Sequence, residues 1–441
     1  MDNDGAASEM SKSMFEAGPL SVSGVLKSAL LKQRTQLLGG VLFAVVLPVL
    51  LRFDLLEMPL TSLSLNNTII GATVAMTVGF FIFGRLASYP GTDGISYSVP
   101  VFMLSYGAVL VVFLFLRLDY SRYLFGSSFV LSVVWFTALA IVLTRIRSFR
   151  IGIVPGGETD RLPQLKNIIW QTLSEPKLPE NRLDAMVADL RADFPPEWER
   201  FITETAIVGT PVYHVKQMYE TLTGRVEIEH LSENTLGALN PNDVYLKFKR
   251  VADWLLAALV IVFGFIFLAA IAIVIRIESK GPVIFRQPRM GYGGKIFTLY
   301  KFRTMKMEDD TEGDSRQKAI TLNNDARITR FGRFLRRTRI DELPQIINIL
   351  RGEMSWIGPR PEAVPLSEWY ERELPFYRYR HIVRPGISGW AQVMQGHVAS
   401  TDEVLEKLHY DFYYIKNFSP WLDFLILLKT LRTVITGFGA R

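Results

Sequence analysis

The sequence predicts an α-helical membrane protein with α/β soluble parts. A cytosolic N-terminal tail (1–34) precedes a four-helix transmembrane bundle (35–145) and a Rossmann-like cytosolic module (146–245). A membrane-associated α/β domain (246–441) with a re-entrant helix (250–276) completes the chain. Three observations carry this. Hydrophobic residues make up 49% of 441 residues, and mean hydropathy is +0.20, too apolar for an ordinary soluble protein. Four apolar stretches fill the first third, and a polar stretch of alternating strand and helix patterns follows. A fifth apolar segment, Val251–Ile275, carries positive charge at both ends.

Composition excludes several classes. Cysteine is absent, so disulfides and thiolate zinc sites are ruled out, and the 5 histidines are too scattered for a histidine-rich metal centre. The net charge of +6 fits a positive-inside membrane protein that also holds anionic headgroups. No nucleic-acid recognition motif accompanies it, so no nucleic-acid partner is expected.

The tail from Met1 to about Gly24 is polar and lacks an apolar core with a small-residue cleavage site, so it reads as cytosolic rather than as a signal peptide. The apolar stretches Leu37–Leu51, Thr68–Phe83, Val99–Leu116 and Ser128–Leu143 approach the ~20 residues that cross ~30 Å of hydrocarbon. Lys27, Lys32 and Arg34 precede the first, and Arg145, Arg147 and Arg150 follow the fourth, placing both ends in the cytosol. No charge lies in the middle of these stretches, which argues against a transport pathway. A structural or assembly role remains, with a homo-oligomer as one form of it.

Arg150 to Gly157 reads as a short buried strand entering a glycine turn. Helical patterns follow at Leu165–Leu173 and Leu183–Leu190, then a strand at Thr205–Val208 and a helix near Tyr213–Leu222. Gly156-Gly157 invites nucleotide binding, but the G-x-G-x-x-G spacing is missing and Pro155 interrupts the turn, so a structural or regulatory fold is favoured.

Lys247, Lys249 and Arg250 enter the Val251–Ile275 segment, and Arg276, Lys280, Arg286 and Arg289 leave it. Positive charge on both flanks keeps both ends cytosolic, so the segment enters one leaflet, bends and returns; a plain span is the simpler alternative. Gly264 is the evident break point. Further on, alternation in Leu299–Met305 puts Lys301 and Arg303 on one strand face, which a solvated basic face explains equally well. Glu308–Asp314 reads as an acidic, mobile loop.

Asp341 and Glu342 are adjacent, hence about 100° apart on a helix, and do not form a facing pair. Pro344 is tolerated only in a first turn, which starts a helix near Asp341; Ile346, Ile347 and Leu350 form its buried stripe, and Gly352 ends it. A plain N-cap aspartate explains the dipeptide by itself. The arginines at 327, 330, 333, 336, 337 and 339 change that, because such like charges repel unless a polyanion or lipid headgroups share the site. Trp356–Pro361 adds a rigid turn presenting one guanidinium, and His381–Gly389 adds another.

These residues together resemble the bacterial sugar transferase family, the polyprenyl-phosphate hexose-1-phosphate transferases, over about residues 247–441. The resemblance rests on Lys301-Phe-Arg-Thr-Met305, Asp341-Glu-Leu-Pro-Gln345, Asn348, Met354-Ser355, Gly358-Pro-Arg-Pro361 and Arg384-Pro-Gly386. The bundle and module are similar to the large, polytopic branch of that family. The resemblance implies an enzyme of the bacterial inner membrane, its catalytic domain facing the cytosol, taking a UDP-hexose and polyprenyl (undecaprenyl) phosphate. It further implies that Asp341 is a nucleophile forming an aspartyl-phosphosugar with release of UMP. Glu342 would orient Asp341 or meet metal and proton demands, and Mg²⁺ at Asp341 would neutralise the diphosphate. Lys301, Arg336, Arg360 and Arg384 match phosphate- or nucleotide-binding positions, and Arg303 shares the motif of Lys301.

The expected role is the first membrane step of exopolysaccharide, capsule or O-antigen synthesis. The alternative is a catalytically silent scaffold or regulator, against which the intact Asp341, Glu342, Lys301 and Arg360 speak. A lipid flippase would need polar intramembrane residues that the first four helices lack. One departure from the family is that Val262–Phe265 holds no proline to bend the re-entrant helix. The stretch Tyr410–Lys429 is expected to be an interfacial amphipathic helix, with a core helix as the alternative.

Overall fold

The computed structural model describes residues 32–56, 62–86, 94–146, 149–165, 168–179, 181–228, 241–306, 327–374, 376–395 and 401–436. Residues 1–31 of the tail expected to be cytosolic (1–34) and the acidic loop Glu308–Asp314 lie outside the described residues. The chain divides into two compact units, one holding the described residues up to Val215 and the other those from Lys216. The protein is mostly helical, with several long apolar helices and a small parallel sheet.

In the first unit the four apolar stretches are helices. Helix α1 comprises Gln33–Gly40, a π-helical Val41–Val46 and Leu47–Leu56; α2 is Leu63–Leu86, α3 Gly94–Phe115 and α4 Arg122–Ile146. They share one core around Met76, Phe80, Phe102 and Phe136, with the Phe102 and Phe136 rings stacked at 4.9 Å. Gly79 lets α3 approach α2, since a Cβ there would lie 2.5 Å from the Phe102 ring. Buried hydroxyls pair across helices: Tyr106 Oη lies 2.8 Å from Ser128 Oγ and 2.9 Å from Ser132 Oγ, and Ser98 pairs with Thr137 at 2.7 Å. Backbone donors are absorbed by the helices themselves, so these hydroxyls are the polar groups an apolar core still had to satisfy.

The same unit holds a parallel sheet in the order β2-β1-β3-β4, formed by β1 (Phe149–Ile153), β2 (Ile168–Thr172), β3 (Ala185–Ala188) and β4 (Val212–His214). The strand expected at Arg150 is β1. Three other expectations are corrected. The described residues of Leu165–Leu173 and Leu183–Leu190 are not helical but contain β2 and β3. Ala185–Ala188 is buried at every position, as a central parallel strand covered on both faces must be, so neither period of two nor of 3.6 marks it. Thr205–Val208 is not a strand: its first residues end α5 (Pro196–Ile207), where Pro196 in the first turn and Glu197 and Glu199 favour a helix start over local β-propensity. The helix expected near Tyr213–Leu222 is α6 (Val215–Thr223). Gly157 adopts φ 62°, and a Cβ there would lie 2.2 Å from the Asp189 carboxylate, which accepts the Glu158 N–H at 3.0 Å. A protein carboxylate therefore uses a turn N–H that a bound phosphate would need.

In the second unit the long apolar segment is α7 (Asp243–Glu278), capped by Asn242, whose side chain accepts the Val244 and Tyr245 N–H groups. The helix runs without interruption through Gly264, the anticipated break point: a lone glycine weakens a helix by only about 1 kcal/mol and removes no hydrogen bond. Near its middle Ala257 packs with Phe297, Leu299, Ile346 and Met354; near its C-terminal end, Ile271 and Ile275 pack with Phe302 and Leu335. Between them Phe263 (80% exposed) and Ile266 (82%) stand clear of the protein, and nothing lies within 4 Å of a Cβ at Gly264.

After α7 come the antiparallel β5 (Ile284–Met290) and β6 (Ile296–Phe302), then α8 (Arg330–Thr338) and α9 (Ile346–Leu350). Next are β7 (Ser355–Ile357), α10 (Val364–Glu373), β8 (Gly386–Ser388, parallel to β7) and α11 (Trp390–Met394). The chain closes with α12 (Thr401–Lys416) and α13 (Pro420–Thr436). The single interfacial helix expected over Tyr410–Lys429 is thus two helices, divided before Pro420, and much of it is core: Tyr413, Tyr414, Leu422, Leu425 and Ile426 are buried. Their exposed residues include Trp421, Leu427 and Leu431, an apolar stripe on α13. Aromatic density did not distinguish the interface from the core because both accept aromatic rings.

Candidate active site

The site is built where β6, the α8–α9 connection and the turn after β7 meet. Thr329 caps α8 by accepting the Gly332 N–H at 2.9 Å, and Arg339 ends the helix in the left-handed region at φ 57°. That reversal starts a 3₁₀ turn, Ile340–Gln345, carrying Asp341 and Glu342, and α9 proper begins only at Ile346. The helix start inferred from Pro344 is therefore a 3₁₀ turn, and Asp341 is not its N-cap. Of the anticipated apolar stripe, Ile346 is buried, while Ile347 is 39% exposed; Ile349 takes the inward place. Gly352 closes the segment at φ 73°, as expected of a helix stop.

Asn348 sews α9 to β6. Its Oδ1 accepts the Tyr300 N–H at 3.2 Å, and its Nδ2 donates to Thr298 O and a Glu353 carboxylate oxygen, each at 2.7 Å. With that register set, Lys301 meets the second carboxylate. Glu342 Oε1 accepts from Lys301 Nζ at 3.1 Å and from Arg360 Nη2 at 3.0 Å, and Arg339 Nη1 lies 3.8 Å from Oε2. Arg360 arrives on the turn after β7. There Gly358 lies so close to the next strand that a Cβ would fall 2.3 Å from Arg384 O.

The two adjacent carboxylates differ sharply in their electrostatic setting. Burial alone would raise the pKa of Glu342, but Lys301, Arg360 and Arg339 override it and hold the group well below the usual carboxylate range. Asp341 makes no hydrogen bond or ion pair with any described residue. Burial and the Glu342 charge push its pKa up to about 6, against the opposing pull of Lys301, Arg360 and Arg336. Burial lowers the pKa of Lys301, and Glu342 opposes that. A carboxylate left uncommitted within a field of cations suits a nucleophile aimed at an anion.

The other candidates divide. Arg336 donates from Nε to Thr304 Oγ1 at 2.8 Å, and its charge reaches Asp341. Arg303 lies just beyond β6, and its Nη2 donates to Ser279 O at 2.6 Å and Ser279 Oγ at 2.7 Å, with Nη1 to Lys280 O at 3.1 Å. It closes the end of α7 rather than joining the carboxylates; the strand alternation that paired it with Lys301 ends at Phe302. Arg384 donates to Gly352 O at 2.9 Å and lies over the Tyr292 ring at 5.4 Å, contacts that include neither Asp341 nor Glu342. Sequence reasoning placed Arg339 only within a general cation field. Its left-handed backbone, which brings it back toward Glu342, has no sequence signal in an arginine.

Among the described residues no group of three or more His, Asp or Glu could hold a metal ion alone. Glu342 Oε2, buried without a hydrogen-bond partner, and the uncommitted Asp341 nevertheless leave hard oxygen donors side by side. One or two carboxylates completed by substrate phosphates is the usual Mg²⁺ arrangement, so these residues fit that ion.

Residues 244–437 match the model of the family described as bacterial sugar transferase. Over 403 residues, 91% of this chain and 94% of the relative, the sequence is 43% identical to a UDP-N-acetylgalactosamine-undecaprenyl-phosphate N-acetylgalactosaminephosphotransferase of Aeromonas hydrophila. Two shorter matches are to UDP-glucose:undecaprenyl-phosphate glucose-1-phosphate transferases. That of Xanthomonas campestris pv. campestris is 41% identical over 201 residues, 45% of this chain and 41% of the relative. That of Escherichia coli is 43% identical over 188 residues, 42% and 39% respectively. With a relative this similar matched over nearly its whole length, and with the carboxylate pair and its cations inside the matched segment, the chain belongs to the bacterial sugar transferase family.

Proposed function

We propose that the protein transfers a hexose-1-phosphate from a UDP-sugar to undecaprenyl phosphate and releases UMP, through an aspartyl-phosphosugar intermediate. The observation that carries this reading is the asymmetry of the pair: Glu342 is neutralised by Lys301 and Arg360, while the neighbouring Asp341 has no ion-pair partner among the described residues. An ionised Asp341 oxygen attacks the phosphorus that bears the sugar. The bond from that phosphorus to the oxygen of UMP breaks, and UMP leaves with the electron pair. A phosphate oxygen of the lipid then attacks the same phosphorus, forms the diphosphate link and returns Asp341 as a carboxylate. Lys301, Arg336 and Arg360 stabilise charge on the transferring phosphoryl oxygens. Mg²⁺ held by Asp341, with Glu342 Oε2 beside it, would supply neutralisation of the diphosphate.

The lipid acceptor gives α7 its role. Lys249, Asp253, Ala257, Ile271 and Ile275 hold α7 on the same α/β domain while Phe263, Phe265 and Ile266 stay exposed, which supports an apolar face that enters one leaflet with both ends cytosolic. The same reading makes α1–α4 a transmembrane bundle and the β1–β4 region a Rossmann-like module with its 2-1-3-4 parallel order. The assignment is to the cytoplasmic membrane and to the first lipid-linked step of a surface polysaccharide. The Aeromonas hydrophila relative is named for UDP-N-acetylgalactosamine, so that donor heads the list to try, followed by UDP-glucose.

The test is UMP release by the full-length protein in nanodiscs containing undecaprenyl phosphate. The wild type should release UMP and Asp341→Asn should not; equal release by both defeats the nucleophile assignment. A tag inserted between Glu278 and Pro282 should be reachable only from the cytosol, and labelling from the opposite side defeats the re-entrant reading.

A further inference from the structure

Arg360 reaches Glu342 from a turn whose backbone is gripped from behind by two guanidinium groups outside every motif that identifies the family here. Arg380 Nη2 donates to Arg360 O at 2.9 Å, and Arg289 Nη1 donates to the next carbonyl, Pro361 O, at 3.0 Å. Arg380 lies in the 3₁₀ segment Tyr377–Ile382 and is 3% exposed. Three of its four remaining N–H donors are engaged: Nε and Nη2 reach Asp411 Oδ2 at 3.1 and 2.7 Å, and Nη1 donates to Tyr377 Oη at 2.7 Å. Asp411, on α12, is 1% exposed, and its Oδ1 has no hydrogen-bond partner.

For packing alone this is a poor use of a core position. A buried ion pair with one oxygen unsatisfied is commonly no more stable, and often less, than an apolar pair of the same volume. What apolar side chains cannot do is donate to a carbonyl in a chosen direction. The direction matters at this turn, because Arg360 projects from the very residue whose carbonyl is held, and its Nη2 must come within 3.0 Å of Glu342.

We propose that Arg380, oriented by Asp411 and Tyr377, is a positioning residue for Arg360: by holding the Arg360 carbonyl it aims that guanidinium at Glu342. Arg289 serves the same turn at Pro361. Glu362, the next residue, is fixed by its ion pair with Lys407, so the turn is secured on three successive residues. The proposal rests on the phosphotransfer reading given above.

A double-mutant cycle on full-length protein in nanodiscs tests it, with UMP release as the readout. Arg380→Lys keeps the charge but loses the planar fork. It should lower kcat about tenfold while KM changes by less than about twofold. In an Arg360→Gln background the same substitution should have no further effect, because the group it positions is gone. A purely structural role predicts the opposite, a loss that multiplies undiminished in both backgrounds, and that result overturns the proposal, as does wild-type kcat in Arg380→Lys. If Arg380→Lys fails to fold, Tyr377→Phe enters the same cycle, since it frees one Arg380 donor and preserves charge and volume. The two readings fail separately: full release by Arg360→Gln defeats the role given to Arg360 itself, whereas an additive cycle defeats only its positioning by Arg380.

Discussion

Helices α2–α4 and the still more apolar helix α7 are all long and apolar enough to cross a bilayer, yet they touch entirely different things. In α2 39% of the most apolar stretch is buried, against rings, glycines and paired hydroxyls of its neighbours; in α7 the figure is 11%. The α3–α4 pair satisfies its hydroxyls helix to helix, through Tyr106, Ser128 and Ser132. Helix α7 instead begins with two charged groups held by the α/β domain: Lys249 reaches Asp423 at 2.6 Å, and Asp253 accepts from Ser355 Oγ at 2.6 Å. Hydropathy thus reports that a segment prefers lipid to water. Its contacts report whether it packs as one helix among several or as a projection from an enzyme domain.

The proposed function places its reactive groups in the unit of α7, and the strongest way to break the comparison is chemical. Asp341→Asn should lower UMP release by at least about a thousandfold, consistent with loss of a nucleophile. Asp189→Asn, in the parallel-sheet module, should leave it within about twofold; parallel losses in both would erase the distinction. Glu342→Gln strands Lys301 and Arg360 without their buried partner. It should destabilise the domain by about 3–5 kcal/mol, measurable as a lowered thermal midpoint. The pH profile is a gentler probe. Asp341 must be ionised to attack, and its pKa is raised to about 6, so UMP release should hold above that value. As Asp341 becomes protonated at lower pH, release should fall about tenfold per pH unit. A profile flat down to pH 4.5 would show that Asp341 stays ionised or does not attack. The smallest effect belongs to the other side of the comparison. Tyr106→Phe removes two buried hydroxyl contacts and should cost about 1 kcal/mol of stability without changing UMP release.

The candidate site was largely legible because its motifs are local. Asp341 and Glu342 are adjacent, and Arg360 sits in a turn whose proline and glycine neighbours announce it. Lys301 was legible through the family resemblance, and the structure supplied the reason it meets Glu342, the Asn348 clasp between α9 and β6. Arg303 meets Ser279 and Lys280 instead of the carboxylates, because alternation says which face a residue shares but not where a strand stops. The module was read least well: β3 is buried on both faces and so loses its period, and β-branched residues at the end of α5 were overruled by a proline and acidic start upstream. Arg380 and Asp411 could not be paired from sequence, since 30 intervening residues separate them and only the docking of α12 brings them together.

What the sequence by itself determined is therefore the chemistry and the solvent preference: which residues can attack or bind phosphate, and which segments avoid water. Those properties belong to side chains and short spacings, and they survive in a chain read one residue at a time. Only the tertiary structure decided which of two adjacent carboxylates is neutralised, which arginines reach them, and that α7 packs along one domain while Phe263 and Ile266 stay exposed. Those outcomes depend on distances between residues far apart in the chain, where a few ångströms separate an ion pair from an uncommitted charge.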